Sequence, residues 1–363
     1  MLSRIFIVIS FLCILGSAFY AQAQTSSLQW QVMGDLSARY EHTETSEPSF
    51  MLGNIDLWFQ SEFSERWAGL GEIMIMNMSK EGDPSYMVHP ARLFLSYMWS
   101  DALQIRAGEM HTPINLYSQL YPHGARFFEP TIHRPHLARV AVHEELLPLH
   151  TVGINARGTF TFGESLDLMY IVGVGNGDAH GGIDSNLFKS PYAQIRLSPL
   201  AIEGLTFALS GYLDKIESLE YVQEGALHQL ITNVSVHYDF YPIELLLETF
   251  WVKHAKNFGR IFGTEEKSSP NDLDGEAETT SLLGTYLQIL YHLGDHSLFS
   301  LVEVYKRDKN DALFNEHTPY EEYWGISAGY RYFINQNLLL KAGHSYNWVD
   351  NLHRFDLQLA YRL

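Results

Sequence analysis

Cysteine is almost absent from this 363-residue sequence, and the single example is Cys13. It lies in the apolar run 5–15 (IFIVISFLCIL), after Arg4 and before the motif Ala21-Gln22-Ala23. These features are typical of a secretory signal peptide cleaved after residue 23. An uncleaved anchor helix is the alternative, but the run is short for a membrane span. The mature chain, 24–363, then has no thiol, which excludes disulfides, cysteine–metal sites and cysteine nucleophiles.

Long apolar runs are also missing. The mature part has no 18-residue apolar run and no helical periodicity, so we expect no transmembrane helix. The chain instead alternates apolar and polar residues: Trp30, Val32 and Leu36, for example, lie between polar residues such as Gln31 and Asp35. Such alternation gives a strand one apolar and one polar face. Many Trp and Tyr residues fall near the strand ends, where the two aromatic girdles of a membrane barrel would lie.

Sixteen segments with this alternation are predicted to be strands. They span 28–40, 52–63, 66–78, 88–99, 102–110, 151–162, 165–176, 191–198, 204–215, 228–240, 242–254, 281–291, 297–307, 322–334, 337–348 and 353–363. Tight turns alternate with long polar loops, as in outer-membrane barrels. A soluble β-sandwich also predicts the alternation, but its outer face should be polar, whereas here that face carries Leu, Val, Phe, Trp and Tyr. We predict an all-β fold, a transmembrane antiparallel β-barrel of about 16 strands.

Charge is distributed unevenly in this acidic chain, whose formal net charge is −18. Most long loops are acidic, which fits contact with divalent cations or lipopolysaccharide, and equally fits simple solvation. Inward positions of the strands carry both signs. The predicted pore-lining residues are Arg39, Arg92, Arg106, Arg157, Arg196, Asp56 and Glu72. Opposed basic and acidic walls in a water-filled barrel would tune ion preference, although these charges could also pair with one another.

The third long loop, 111–150, differs from the others. It is the longest, is rich in Arg, His and Pro around 121–139, and has several apolar residues such as Ile132 and Leu137. A connection of this length is usually functional, and its apolar content is too high for a loop that floats in water. We therefore expect it to fold into the barrel.

Four segments resemble a known family. They are IRAGEMHTPINL (105–116), VGINARGTF (152–160), LMYIVGVGNGD (168–178) and YAQIRLSPL (192–200). The chain resembles the bacterial outer-membrane porins, and among them the phosphate-selective porin O and P group. That resemblance implies an inward third loop that narrows the pore, frequent trimers, and loop arginines that face anions. The constriction residues so predicted are Arg126, Arg134, Arg139, Glu129, His133 and His136. Because 111–150 has no lysine and several glutamates, we expect a mixed-charge constriction.

The predicted function is passive diffusion of small hydrophilic solutes or ions through the barrel. No catalytic residue and no cofactor is expected. The expected partners are outer-membrane lipid, lipopolysaccharide and the solutes, but no nucleic acid. The resemblance also implies a homotrimer. Two alternatives stay open at this stage. One is an outer-membrane hydrolase with a site assembled in space, and the other is a metal-binding or adhesion barrel that uses His133 and His136.

Overall fold

The computed structural model describes residues 28–42, 47–77, 85–121, 129–138, 147–177, 186–216, 227–263 and 279–363. The predicted signal peptide and the predicted constriction residues Arg126 and Arg139 lie outside these residues. No helix among the described residues is long and apolar enough to cross a membrane.

Sixteen antiparallel strands form one closed barrel in which each strand pairs with its neighbours in the sequence. The strands are β1 (Leu28–Glu41), β2 (Ser49–Glu62), β3 (Trp67–Asn77), β4 (Tyr86–Ser100), β5 (Leu103–His111), β6 (His150–Phe162), β7 (Leu166–Gly175), β8 (Ser190–Pro199), β9 (Leu205–Ile216), β10 (Leu227–Phe240), β11 (Ile243–Ala255), β12 (Thr279–Leu293), β13 (His296–Arg307), β14 (Glu322–Asn335), β15 (Leu338–Asn347) and β16 (Leu352–Arg362). The predicted fold class and all sixteen predicted strands are confirmed, because alternation marks a strand over its whole length.

The first and last strands close the barrel. Strand β1 pairs with β16 from Met33, opposite Arg362, to Glu41, opposite Arg354. The backbone of the C-terminal residue Leu363 bonds that of Val32, with an N···O distance of 2.8 Å. Closure leaves no unpaired strand edge, and an unpaired edge could not be satisfied in a lipid environment.

The two faces of the barrel differ as the alternation predicts. On β11, for example, Leu247 and Trp251 are exposed on the outside, whereas Glu248 and Phe250 point inward and are buried. The outer wall is therefore mainly apolar, and the inner wall mixes charged, polar and apolar residues. The polar residues are buried because other parts of the same chain fill much of the interior.

Loop length differs between the two ends of the barrel. Seven short turns lie at one end, and at the other end lie the long connections, which include L3 (112–149), L6 (256–278) and L7 (308–321). The last connection at that end, 348–351, is a four-residue turn in which Asn351 has a positive φ of 53°. The sequence did not predict the helices in the loops: α1 (Tyr117–Leu120), α2 (Phe258–Phe262), α3 (Ala312–His317) and a 3₁₀ turn at His136–Ala138. They are too short to show a helical period in the sequence.

Candidate functional site

Loop L3 folds into the barrel and packs there through an apolar core. Its residues Leu116, Tyr117 and Leu137 are buried against inward side chains of the wall, among them Phe250 and Tyr286. Burying one such side chain contributes about 1.5–3 kcal/mol. The apolar residues that made a floating loop implausible from the sequence are therefore those that hold L3 inside the barrel.

Two glycines of the wall leave room for L3. A Cβ atom on Gly284 of β12 would lie 2.5 Å from Cδ1 of Leu137, and one on Gly343 of β15 would lie 2.9 Å from Cδ1 of Ile132. Both distances are shorter than a normal contact between carbon atoms. The inner wall is thus shaped to receive two side chains of L3.

A buried carboxylate on β11 holds the start of L3. Oε1 of Glu248 accepts the backbone N–H of Leu116 at 2.7 Å, and Oε2 accepts that of Tyr117 at 3.2 Å. The hydroxyls of Ser235 and Tyr286 donate to the same carboxylate. Helix α1 has no side-chain cap at its N-terminus, so Glu248, from 131 residues further along the chain, accepts the donors that a cap would otherwise satisfy.

The second half of L3 is held by strands on the arc β13–β16. The backbone N–H of His136 donates to Oε2 of Glu303, and the backbone C=O of Thr131 accepts from Nζ of Lys341 at 3.2 Å. The ring of His133 lies 2.7 Å from Oδ2 of Asp356. Thr131, His133 and His136 of L3 therefore each contact a charged side chain of the wall.

Within L3, Arg134 and Glu129 form a buried ion pair. Arg134 also donates to the backbone C=O of Tyr121 at 3.1 Å, and its guanidinium lies over the ring of Tyr117. Burial alone would lower the pKa of Arg134, but the adjacent Glu129 carboxylate raises it above its ordinary value. The charge of Arg134 is thus matched inside the loop.

The two predicted constriction histidines lie in different surroundings. His133 pairs with Asp356, whereas the ring of His136 packs against Tyr323 with 4.4 Å between ring centroids. The described part of the chain contains no group of three His, Cys, Asp or Glu that could hold a metal ion.

Arginines gather on the opposite arc of the wall, beside the start of L3. Arg92 of β4, Arg106 of β5, Arg157 of β6 and Arg196 of β8 line a cavity of about 270 Å³. Residues 111–119 of the chain close its other side with His111, Pro113, Ser118 and Gln119. Four of the seven predicted pore-lining residues thus share one space inside the barrel.

The predicted pore-lining charges divide into paired and unpaired groups. Arg39 pairs with Asp356 at 2.9 Å and Arg92 with Glu72 at 2.6 Å. Arg196 donates to the side chains of Gln194 and Gln119.

Arg106 and Arg157 make no ion pair with any described residue. The guanidinium of Arg106 lies over the ring of Phe94, and its buried Nε has no hydrogen-bond partner. The partners of Arg196 are neutral glutamines, so Arg106, Arg157 and Arg196 are all cations of the cavity without a carboxylate partner among the described residues. Asp56 is fully buried on β2 and does not line this cavity.

A smaller cavity of about 170 Å³ lies on the other side of L3. Its lining includes His133, His136, Glu303, Tyr320 and Tyr323. L3 therefore lies between an arginine-lined space and a space with carboxylate and aromatic groups.

A serine, a histidine and a carboxylate lie in contact in the barrel, as the side chains of a hydrolase site would. Oγ of Ser297 lies 3.1 Å from Nδ1 of His292, and Nε2 of that ring lies 3.4 Å from Glu244. Ser297 is only 2% exposed, however, and Glu244 also accepts from the hydroxyl of Tyr121 in L3. The serine is therefore buried, and the carboxylate is shared with loop L3.

Loop L7 is fixed to the wall by a second buried cluster. Nδ1 of His254 lies 2.7 Å from Oδ2 of Asp311, and Nε2 of the same ring lies 2.8 Å from Nε2 of Gln229. Asp311 also accepts from the hydroxyl of Thr280 and from the backbone N–H of Phe314 at the start of α3. Burial alone would raise the pKa of Asp311, but these partners together lower it.

The sequence did not single out Glu303, His254 or Asp311. Alternation along β13 places Glu303 on the inner face, but it gives no indication that a loop 167 residues earlier in the chain donates to it. Alternation along β11 likewise places Glu248 on the inner face, but it gives no indication that this carboxylate holds L3. Partners so distant in sequence become visible only in the folded barrel.

No protein-family model and no curated protein matches this chain. Solved structures of outer-membrane proteins do match its fold. In-vitro folded OmpT of Vibrio cholerae, in its trimer form, is 10% identical, has a TM-score of 0.59, and is matched over 94% of this chain and 100% of its own. For OmpF of Salmonella typhi in complex with daunomycin the identity is 12%, the TM-score 0.60, and the coverage 93% and 97%. For the outer membrane channel DcaP of Acinetobacter baumannii the values are 10%, 0.57, 93% and 97%. The chain shares the closed-barrel fold of these outer-membrane proteins.

Proposed function

We propose that this protein is an outer-membrane porin that lets small hydrophilic solutes, with a preference for anions, diffuse through a lumen narrowed by L3. The observation that carries the proposal is the cavity between L3 and the wall, in which Arg106 and Arg157 lack a carboxylate partner among the described residues. The similarity in fold to OmpF and to the channel DcaP supports a channel.

The anion preference follows from which charged side chains of the wall already have partners. Glu244, Glu248, Glu303 and Asp356 all accept hydrogen bonds from L3 or lie against it. Arg106 and Arg157 remain without such partners and face the cavity. A unit charge about 4 Å from an anion in a watery lumen contributes about 1 kcal/mol, enough to enrich anions about fivefold at each arginine.

The location and assembly belong to the same proposal. The apolar outer wall and the predicted signal peptide at residues 1–23 support insertion into the outer membrane of a Gram-negative-type envelope. The trimer form of OmpT supports a homotrimer as the assembly to test first. The resemblance to the phosphate-selective porin O and P group makes phosphate the first anion to try as a competitor.

Planar-bilayer recording tests the proposal. The refolded barrel should give discrete conductance steps, and the reversal potential in a salt gradient should show anion preference. The double variant Arg106→Gln/Arg157→Gln should shift that potential toward cations, because two of the three cavity arginines without a carboxylate partner lose their charge. Arg66→Gln removes one charge from an exposed turn, where Arg66 bonds Tyr97, and serves as the control.

Conduction through the barrel and the anion preference can be refuted independently of each other. If the folded barrel gives no conductance steps, then it is not a porin. If steps occur but the double variant keeps the wild-type reversal potential, then the assignment of anion preference to these arginines is wrong.

A further inference from the structure

Methionine and histidine side chains form a compact patch on the inner wall, at the long-loop ends of β3 and β4. Met74 of β3 lies opposite His89 of β4, and Met76 lies opposite Met87. Side chains directly opposite each other in an antiparallel pair have Cβ atoms about 4.5–5.5 Å apart. Two adjacent pairs on one face therefore place three thioethers and one imidazole side by side. We call these four residues the thioether patch, and the proposed function makes no use of it.

The patch faces the interior of the barrel. Met74 and Met76 are 4% and 6% exposed, and they lie on the same face of β3 as the buried Glu72. Val88, which separates the two members of the patch on β4, is 67% exposed on the outer wall. Met87 packs against Met74 and Met76 in one apolar cluster. The three methionines are thus grouped by contact as well as by strand register.

A β-bulge at Ala91 directs His89 into the barrel. Arg92 and Pro90 lie opposite consecutive residues of β3, so Ala91 has no residue opposite it. His89 and the inward Arg92 are three positions apart, a spacing that would put them on opposite faces of a regular strand. The extra residue brings both onto the inner face, and bulges often re-aim a side chain beside a functional site.

The imidazole of His89 is available as a ligand. It makes no hydrogen bond and no ion pair with any described residue. Its ring is in edge contact with that of His150, with 6.1 Å between the ring centroids. The uncharged imidazole that predominates at neutral pH is the form that binds a metal. Methionine also fills gaps in apolar cores, but packing alone gives no reason to turn an imidazole toward three sulfur atoms.

The ligand types in the patch select the metal. Thioether sulfur is a soft ligand that suits Cu⁺, whereas carboxylates and carbonyls suit Mg²⁺, Ca²⁺ and Mn²⁺. All four side chains are uncharged ligands at neutral pH, and a site without anionic ligands compensates the lost hydration of a monovalent ion better than that of a divalent ion. Over the described ranges, no three His, Cys, Asp or Glu residues are grouped so that they could hold a metal. A soft, monovalent cation is therefore the ion that fits this wall.

We propose that the thioether patch is a binding site for a cuprous ion, with the sulfur atoms of Met74, Met76 and Met87 and one ring nitrogen of His89 as ligands. Met87 and His89 are partly exposed, so an ion has access to the patch. The three rotatable bonds of each methionine let its sulfur move onto the ion. The inference concerns the wall at β3 and β4, and it does not depend on conduction or on the cavity arginines.

Metal retention by the full refolded chain in detergent tests the site. The chain carries Cys13→Ser, so that no thiol competes for the ion. The probes are Ag⁺, a redox-stable analogue, measured by native mass spectrometry, and Cu⁺ under anaerobic conditions in competition with a chromogenic chelator. The unsubstituted patch should retain one ion per chain, and X-ray absorption at the copper edge should show sulfur ligands together with a nitrogen ligand.

Replacing the sulfur atoms separates binding from packing. Leucine nearly conserves the volume of methionine, so Met74→Leu, Met76→Leu and Met87→Leu should leave the barrel folded. Each should weaken retention by at least about tenfold, because losing even the outer partner of a metal ligand costs about 10–100-fold in affinity. His89→Gln should act in the same way. Met98→Leu, which replaces an exposed methionine at the short-turn end of β4, is the matched control and should retain the ion.

Three results would overturn the proposal. They are the absence of a stoichiometric ion in the folded, heat-modifiable barrel, equal retention by the patch variants and the control, and displacement of Ag⁺ by an equal concentration of Zn²⁺. Displacement by Zn²⁺ would show that imidazoles rather than thioethers hold the ion. If a methionine variant does not fold, His89→Gln and the sulfur signal in X-ray absorption still decide the question.

Discussion

Glu248 offers the sharpest test of how L3 is held. Its carboxylate is buried and accepts the backbone N–H groups of Leu116 and Tyr117. Glu248→Ala leaves both donors without an acceptor and opens a cavity on the wall beside α1. We expect L3 to leave its docked position in a substantial fraction of molecules, so that the pore becomes wider.

The expected loss of docking free energy follows from the two hydrogen bonds to Glu248. A hydrogen bond to a charged group contributes about 1.5–3 kcal/mol, so losing two of them weakens docking by about 3 kcal/mol at the lower limit. Because about 1.4 kcal/mol corresponds to a tenfold change, the ratio of docked to released L3 should fall by about two orders of magnitude. Glu248→Gln retains one acceptor oxygen and nearly the same shape, and we expect about half of the free-energy loss.

Single-channel recording measures the effect. Glu248→Ala should show larger conductance steps or frequent transitions to a larger state, and Glu248→Gln should show fewer of them. The control is Glu62→Gln, which removes a carboxylate from the short-turn end of β2, where no described residue of L3 donates to it. If a folded, heat-modifiable Glu248→Ala barrel conducts as the wild type does, then these two bonds do not hold the loop.

Two further predictions concern the fit and the pH dependence of the loops. Gly284→Ala should destabilise the barrel by about 1–3 kcal/mol by overpacking, since its new Cβ meets Leu137. In urea unfolding, the double variant with Leu137→Ala should lose less free energy of unfolding than the sum of the losses in the two single variants. A loss equal to that sum would show that the contact is not formed. Because the pKa of Asp311 is lowered in the folded state, its stabilisation of L7 is complete above about pH 4 and is lost as pH falls through the lowered value. Hydrogen exchange at 308–321 should rise there in the wild type, and Asp311→Asn should remove that pH dependence.

The strands could be predicted from the sequence because the two faces of a strand are visible in the alternation of neighbouring residues. Trp30, Val32 and Leu36 alternate with polar residues whatever the rest of the chain does, and the same rule predicts Arg106 and Glu72 on the inner wall. The inward course of L3 was also predictable, from the apolar content of a 40-residue segment. In both cases the information lies within a few residues of the feature that it predicts.

The partners of L3 could not be predicted in the same way. Whether Arg134 would meet a passing anion or Glu129 depends on how the loop turns, and the structure pairs it with Glu129. Whether an inward arginine such as Arg39 or Arg106 forms an ion pair depends on the residue opposite it on the neighbouring strand. Arg39 has Asp356 opposite it on β16, whereas Arg106 has Asn155 opposite it on β6. Pairing across a closed sheet therefore decides which of the predicted charges stay available to a solute.

The side on which L3 lies has a chemical reason. The described start of the loop and its 3₁₀ turn present backbone N–H groups at Leu116, Tyr117 and His136, and such donors need acceptors when they are buried. Carboxylates supply two acceptor oxygens each, whereas a guanidinium has donors only. A loop with buried N–H groups is thus stabilised against the wall that carries Glu248 and Glu303, and it leaves the arginine wall to face the cavity. Glu248 and Glu303 are occupied by the loop in this way, whereas Arg106 and Arg157 have no carboxylate partner among the described residues, and this difference favours the proposed anion preference.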